Sequence, residues 1–280
     1  MLVEASGTAP PETVWRRFTD PSQWPSRAPQ IRAVATADSE LRVGGSGRVS
    51  GPGPLAVDYD IVEIDADLRV WTWEVAVGPA RARMRHYVLP TATGGSRALL
   101  QVEGPTAVPA QAYRPMARAA LRRLVAMPSP TPAVDASSVD EQVVEHGLPS
   151  ESVRAFRFAF SPAYAAAARP FGITPATTSV EVGPHWLYVR YGPWRLLTPR
   201  VNVVAAQVSG DFSFVKTAGP AHLSLSDRGV TMTSNGHRAI CLEFAEPVTA
   251  IDTTGLIRHP GATLAVADPE GLAAALGVGV

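Results

Sequence analysis

Three consecutive runs between residues 55 and 88 alternate apolar and polar side chains with a period of two. Leu55, Val57, Tyr59 and Ile61 share one side of the first, opposite Ala56, Asp58 and Asp60. Trp71, Trp73, Val75 and Val77 share a side of the second, opposite Thr72 and Glu74. In the third, Met84, His86 and Val88 alternate with Arg81, Arg83, Arg85 and Tyr87. Side chains on an extended chain point to opposite faces in turn, so three such runs in succession require an antiparallel sheet with one buried and one wet face. The arginine row reads as the wet face, paired across strands with Asp58 and Asp60. Ala98–Glu103 adds a last strand after the Thr93–Ser96 turn, and Ile31–Val34 and Leu41–Val43 add two earlier ones. The glycine-rich Gly44–Pro54 lacks the Lys-Ser/Thr of a phosphate-binding loop and reads as hairpin turns.

The stretch Val3–Pro25, VEASGTAPPETVWRRFTDPSQWP, precedes these strands. It reads as a strand ending near Ser6 and then a helix opened by Pro10-Pro11-Glu12, with proline at the first helical turn and an acid at the positive end of the dipole. Val14, Trp15 and Phe18 form its apolar face, and Asp20-Pro21 stops it. After the strands, Pro109–Met127 has helical spacing, with Ala112, Met116, Ala119, Ala120, Leu124 and Met127 as the predicted buried face. Pro115 falls inside this stretch and marks a kink or the true start of the helix.

A strand, a helix beginning PPE, a VW pair, TDP, WP, the WTWEV run and a closing ARAALRRL helix together resemble the polyketide cyclase/dehydrase-type members of the START-related helix-grip (SRPBCC) superfamily. The resemblance covers Leu2 to about Ala126, and the pattern departs at Arg27, where many relatives carry a second tryptophan. It implies a curved antiparallel sheet wrapped round the long C-terminal helix, with a hydrophobic cavity between them.

Three prolines and small polar residues between Pro128 and Ser138 mark a linker. The expected organisation is a helix-grip domain over residues 1–127, a linker over 128–150 and a second domain over 151–280. The second domain shows strand signals at Thr178–Val182, Trp186–Tyr191, Trp194–Thr198, Val201–Val208 and His222–Ser226. Asn235-Gly236 between Gly229–Ser234 and His237–Phe244 predicts a hairpin. Leu264–Val266 is a final strand, and Asp268-Pro269-Glu270 opens a helix that Gly277 ends. This order, with motifs such as YGPWRLLTP and VADPEGL, resembles a bacterial pleckstrin-homology-like domain, which implies a small antiparallel β-barrel with a C-terminal helix. The fold class is therefore α+β.

Charges narrow the function. Acidic and basic residues balance at 25 each, so the totals give no sign of nucleic acid or an anionic membrane as partner. No apolar span reaches membrane length, Cys241 is the one cysteine, and a cytoplasmic setting is expected. None of the six histidines forms a metal-binding helical motif and no nucleophile elbow occurs, so neither metal nor cofactor is expected. The candidate ligand-binding residues, given the cavity that the resemblance implies, are Tyr59, Trp71, Trp73, Met84, His86, Tyr113 and Met116. His86 has two readings: a histidine satisfied by neighbouring groups, or one that orients a ligand oxygen or acts as acid/base. Arg190, Arg195 and Arg200 read as scattered surface charges.

The leading expectation is binding of a hydrophobic small molecule, lipid or polyketide-like, with the second domain an accessory module for a protein partner. Two alternatives stay open: a metal-independent cyclase or aromatase using His86 or a cavity tyrosine, and a structural or regulatory protein whose cavity is collapsed.

Overall fold

The computed structural model describes residues 1–77, 80–103, 109–127, 153–210, 220–223, 228–252 and 256–279. The proposed linker, His146 and Lys216 lie outside them. The N-terminal strands are β1 (Leu2–Gly7), β2 (Ala33–Thr36), β3 (Ser46–Ser50), β4 (Ala56–Asp65), β5 (Val70–Val77), β6 (Ala80–Pro90) and β7 (Ser96–Glu103). They form one antiparallel sheet in the order β1-β7-β6-β5-β4-β3-β2. Helices α1 (Pro11–Thr19) and α2 (Trp24–Arg27) lie between β1 and β2. Helix α3 (Arg114–Val125) follows a 3-10 turn at Pro109–Tyr113 and crosses β1 and β7. This is the helix-grip arrangement expected from the sequence.

Backbone contacts lock α3 in place. Ala9 N–H donates to Val125 O at 3.1 Å, and Ser96 Oγ donates to Ala9 O at 2.8 Å. A Cβ at Gly7 would lie 2.3 Å from Val125 O, so only glycine allows the end of β1 to meet the end of α3. Arg17, buried on α1, donates from Nη1 to Leu124 O at 2.5 Å and Ala126 O at 2.9 Å, satisfying carbonyls that the end of α3 leaves free.

Two N-terminal expectations are corrected. Leu41–Val43 is not a strand: Leu41 N–H is held by Thr19 O, Gly44 turns with φ +79, and β3 instead runs through the glycine-rich stretch. The buried face of α3 is Ala117, Leu121, Leu124 and Val125, and Met116 and Met127 face solvent. The tight 3-10 turn before α3 shifts the phase of the helix relative to a single α-helix drawn from Pro109.

The C-terminal half holds two sheets. Strands β8 (Arg154–Phe156), β9 (Thr178–Val182), β10 (Trp186–Tyr191) and β11 (Trp194–Pro199) pair in the order β11-β10-β9-β8. The other sheet comprises β12 (Val203–Gly210), β13 (His222–Leu223), β14 (Val230–Met232), β15 (Arg238–Thr249) and β16 (Arg258–Leu264), in the order β12-β15-β16-β14-β13. Helices α4 (Pro162–Ala168) and α5 (Pro269–Leu276) complete it, and one apolar core lies between the sheets. Asp268 Oδ1 accepts from Gly271 N–H at 2.8 Å and Gly277 closes α5 with φ +75, as expected.

The expected barrel is not closed: no named strand of one sheet pairs with a named strand of the other among the described residues. Pro199 ends β11 without an N–H to donate, and a 3-10 turn at Arg200–Asn202 redirects the chain before β12. The predicted Asn235-Gly236 hairpin is also corrected. β16 inserts between the two arms, parallel to β14 and antiparallel to β15. Asn235 is spent on an anchor instead, donating to Ala159 O at 2.9 Å and accepting from His237 and Arg238 N–H.

The outer face of the N-terminal sheet is only partly wet, because the C-terminal half covers β1, β6 and β7. Leu89 and Leu99 are buried against Trp186 and Tyr188. Arg97 makes a bidentate pair with Glu181 at 2.9 and 3.1 Å, with its guanidinium 4.4 Å from the Tyr188 ring centroid. Glu4 accepts from Arg195 Nε at 2.8 Å and from the Tyr188 hydroxyl. Of the arginine row, Arg81 reaches Asp60 at 3.5 Å as expected, but Asp58 pairs with Arg48 and Arg85 with Glu63. Arg190, Arg195 and Arg200 are tethers, not loose surface charges: Arg190 bonds the Ala176 and Thr177 carbonyls and Arg200 that of Leu276.

Candidate ligand cavity

The inner face of β5 and β6, the helices α1 and α2, and α3 enclose a cavity of ≈ 90 Å³. Its floor is aromatic because period-2 alternation sends Trp71, Trp73 and His86 to the same side of adjacent strands, and the register sets Trp71 opposite His86. The His86 ring lies 3.9 Å from Trp71 at an interplanar angle of 6°, and Trp24 stacks on Trp71 at 5.7 Å. Phe18 meets Trp71 and His86 edge-on, at 5.9 and 5.4 Å. Trp73 stands edge-on to Trp24 at 5.4 Å. Such edge and stacked geometries stiffen the wall beyond what buried area alone provides.

The polar atoms are more telling. Trp71 Nε1, Trp73 Nε1, His86 Nδ1, Gln30 Oε1 and Arg27 Nε are buried without a hydrogen-bond partner, and all five belong to residues lining this cavity. An unsatisfied buried group costs about 1–3 kcal/mol, so five such groups in the residues that line one small space form a large standing penalty. His259 Nε2 is the other such atom among the described residues and lies elsewhere. At the half-exposed rim, Gln30 Nε2 donates to the Tyr113 hydroxyl at 2.5 Å, tying the segment after α2 to the start of α3.

The electrostatics favour negative charge. Arg17 and Arg27 line the cavity and no carboxylate does. Burial lowers the pKa of Arg17, and the nearby charges of Arg27 and Arg16 lower it further. Burial pushes the His86 pKa down to about 3, against a smaller upward pull from the Trp71 backbone, so its imidazole is neutral at physiological pH. Burial raises the Tyr113 pKa, with the Gln30 bond opposing. The lining therefore offers hydrogen bonds and positive charge, not an acid/base pair poised near neutrality.

The structure brings Trp71, Trp73, His86 and Tyr113 together on this cavity. Tyr59 lies in a layer behind, its ring 5.9 Å from Trp24 and 5.3 Å from Trp73. Met84 packs in the core beside the wall, and Met116 is 43% exposed on the far side of α3. Sequence reasoning missed Arg27 and Gln30; the orphaned state of their buried atoms leaves no trace in residue order. Trp24 was legible as part of the WP turn but not as the ring that completes the stack.

Residues 3–127 match the family model described as polyketide cyclase / dehydrase and lipid transport. The N-terminal domain is a START-related helix-grip domain. Among solved structures, the chain is similar to the ginseng major latex-like protein 151 from Panax ginseng, at 14% identity and TM-score 0.37, over 44% of this chain and 93% of that one. It is also similar to protein MLL2253 from Mesorhizobium loti, at 19% identity and TM-score 0.37, over 44% and 94%. Ara h 8.0201 is similar at 14% identity and TM-score 0.37, over 44% and 93%. No curated protein matches the chain.

Proposed function

We propose that the N-terminal cavity binds a hydrophobic small molecule, lipid or polyketide-like, that presents an anionic or electron-rich oxygen to the cavity. The observation that carries this reading is a carboxylate-free aromatic cavity whose lining includes five residues that each hold a buried, unpartnered polar atom, three of these atoms being N–H donors. A ligand oxygen accepting from Trp71, Trp73 or Arg27 removes part of a penalty that the empty fold bears. The family described as polyketide cyclase / dehydrase and lipid transport is consistent with such a ligand. At ≈ 90 Å³ the space is smaller than the 150 Å³ or so that takes up benzene in an engineered cavity, so it admits a small group of the ligand. The remainder extends past the Gln30–Tyr113 bond at the rim.

Binding is favoured over cyclisation because His86 is neutral and no acid lines the cavity. The units we assign are a ligand domain over residues 1–127, a linker over 128–150, and an accessory module for a protein partner over 151–280. Native mass spectrometry of freshly purified protein, set against the denatured mass, tests the proposal. A co-purified hydrophobic compound, lost in Trp73→Arg and held about fivefold more weakly in Trp73→Phe, is expected, since the latter keeps the ring and loses one donor. An empty protein whose melting point ignores fatty acids and flat phenolic polyketides supports the collapsed-cavity alternative and sinks the binding proposal.

A further inference from the structure

A second cavity of ≈ 300 Å³ opens where the N-terminal sheet meets the C-terminal half. β1 and β7 form one wall, α3 the next, and the β10–β11 turn with the chain after β15 form the others. Trp194 and Ile251, both half-buried, supply apolar surface.

Five charged side chains face this space: Glu4, Arg114, Arg118, Arg195 and Asp252. Three are already engaged. Glu4 takes Arg195 and the Tyr188 hydroxyl, with Arg97 Nε a further 4.0 Å away. Although burial pushes its pKa up, those partners outweigh burial and hold the carboxylate low. Arg195 also donates to the Gly192 and Trp194 carbonyls. Asp252 Oδ2 accepts the backbone N–H groups of Leu256 and Ile257 at 2.6 and 3.0 Å. Arg114 and Arg118 stand one turn apart on α3 and pair with no carboxylate among the described residues. At that spacing their Cβ atoms are about 5–6 Å apart, so both guanidiniums can reach one group.

We propose that this cavity is a binding site for an organic phosphate ester, with its dianion gripped by Arg114 and Arg118 and its apolar body against Trp194. Two planar guanidiniums without counter-ions match a doubly charged tetrahedral group better than a single carboxylate. The volume lies at the lower end of the usual range for small-molecule sites, about 300–1,000 Å³. The site is separate from the apolar cavity, because α3 turns Ala117, Leu121 and Leu124 to that cavity and Arg114 and Arg118 to this one.

Isothermal titration calorimetry of the full chain with 1-naphthyl phosphate, inorganic phosphate and 1-naphthoate tests the proposal. The expected result is one-to-one binding of 1-naphthyl phosphate that weakens with salt and is at least tenfold tighter than the other two probes. The Arg114→Gln/Arg118→Gln double variant should lose at least tenfold in affinity at an unchanged melting temperature, since neither side chain holds the fold together. Trp73→Phe should bind 1-naphthyl phosphate as wild type does, which separates this site from the apolar cavity. No binding, binding untouched by the double variant, or equal affinity for 1-naphthoate overturns the proposal.

Discussion

Lowering the pH should unfold this protein partly through a single imidazole. His86 is buried, and its pKa falls from 6.5 to about 3 on folding, so the folded state keeps it neutral while the unfolded chain protonates it. The stability this represents is fully present above the unfolded pKa of 6.5 and is lost as pH falls toward about 3. At pH 4 the unfolded-state imidazole lies about 2.5 pH units below its pKa and the folded one is still mostly neutral, so the loss is about 3 kcal/mol at roughly 1.4 kcal/mol per unit. His86→Phe keeps a ring to stack on Trp71 and removes the titration. Urea unfolding of both proteins at pH 7.5 and pH 4 is the assay. Carboxylates such as Glu4 and Glu63, whose pKa values folding lowers, contribute alike to both proteins and cancel in the difference. Wild type should lose about 3 kcal/mol relative to the variant between the two pH values. A difference that stays flat refutes a neutral, desolvated His86.

Two further outcomes concern the frame. Arg97→Met strands Glu181, whose remaining partner is Ser179 Oγ at 3.4 Å, and should cost about 3–5 kcal/mol in urea unfolding. Glu181→Leu should cost less because Arg97 retains Glu4, and the double variant should recover most of the loss. Asp268→Ala removes the cap of α5 and should cost about 1 kcal/mol by thermal denaturation.

The N-terminal sheet was legible because alternation of apolar and polar residues encodes which face is buried, and β5 and β6 carry that signal in tryptophans and arginines. Alternation does not say whether the outer face meets water or another part of the chain. Thr72 was expected to be wet and is fully buried, bonded to Glu63 at 2.7 Å. The face of α3 was misread because alanines and arginines give weak contrast, and the 3-10 turn before Arg114 changes the angle per residue. The Asn235-Gly236 signal is local, whereas the insertion of β16 between β14 and β15 is decided by parallel pairing of β14 with β16 residues 32 positions away, Val230 with Ala262 and Met232 with Leu264. In the cavity, the rings could be chosen from the sequence, but the unpaired state of their nitrogens depends on what α2 and α3 place opposite them.

The position of β1 has a consequence for biosynthesis. Glu4 is synthesised well before its hydroxyl and guanidinium partners, which are 184 and 191 residues further along. Until β10 and β11 are synthesised, Glu4 on the edge strand β1 keeps Arg97 but lacks its two nearest partners, and it lies beside the bare side chains of Leu89 and Leu99. An uncovered edge with apolar neighbours is a template for pairing with other chains. The C-terminal half, once made, acts as a tethered cover for that apolar surface.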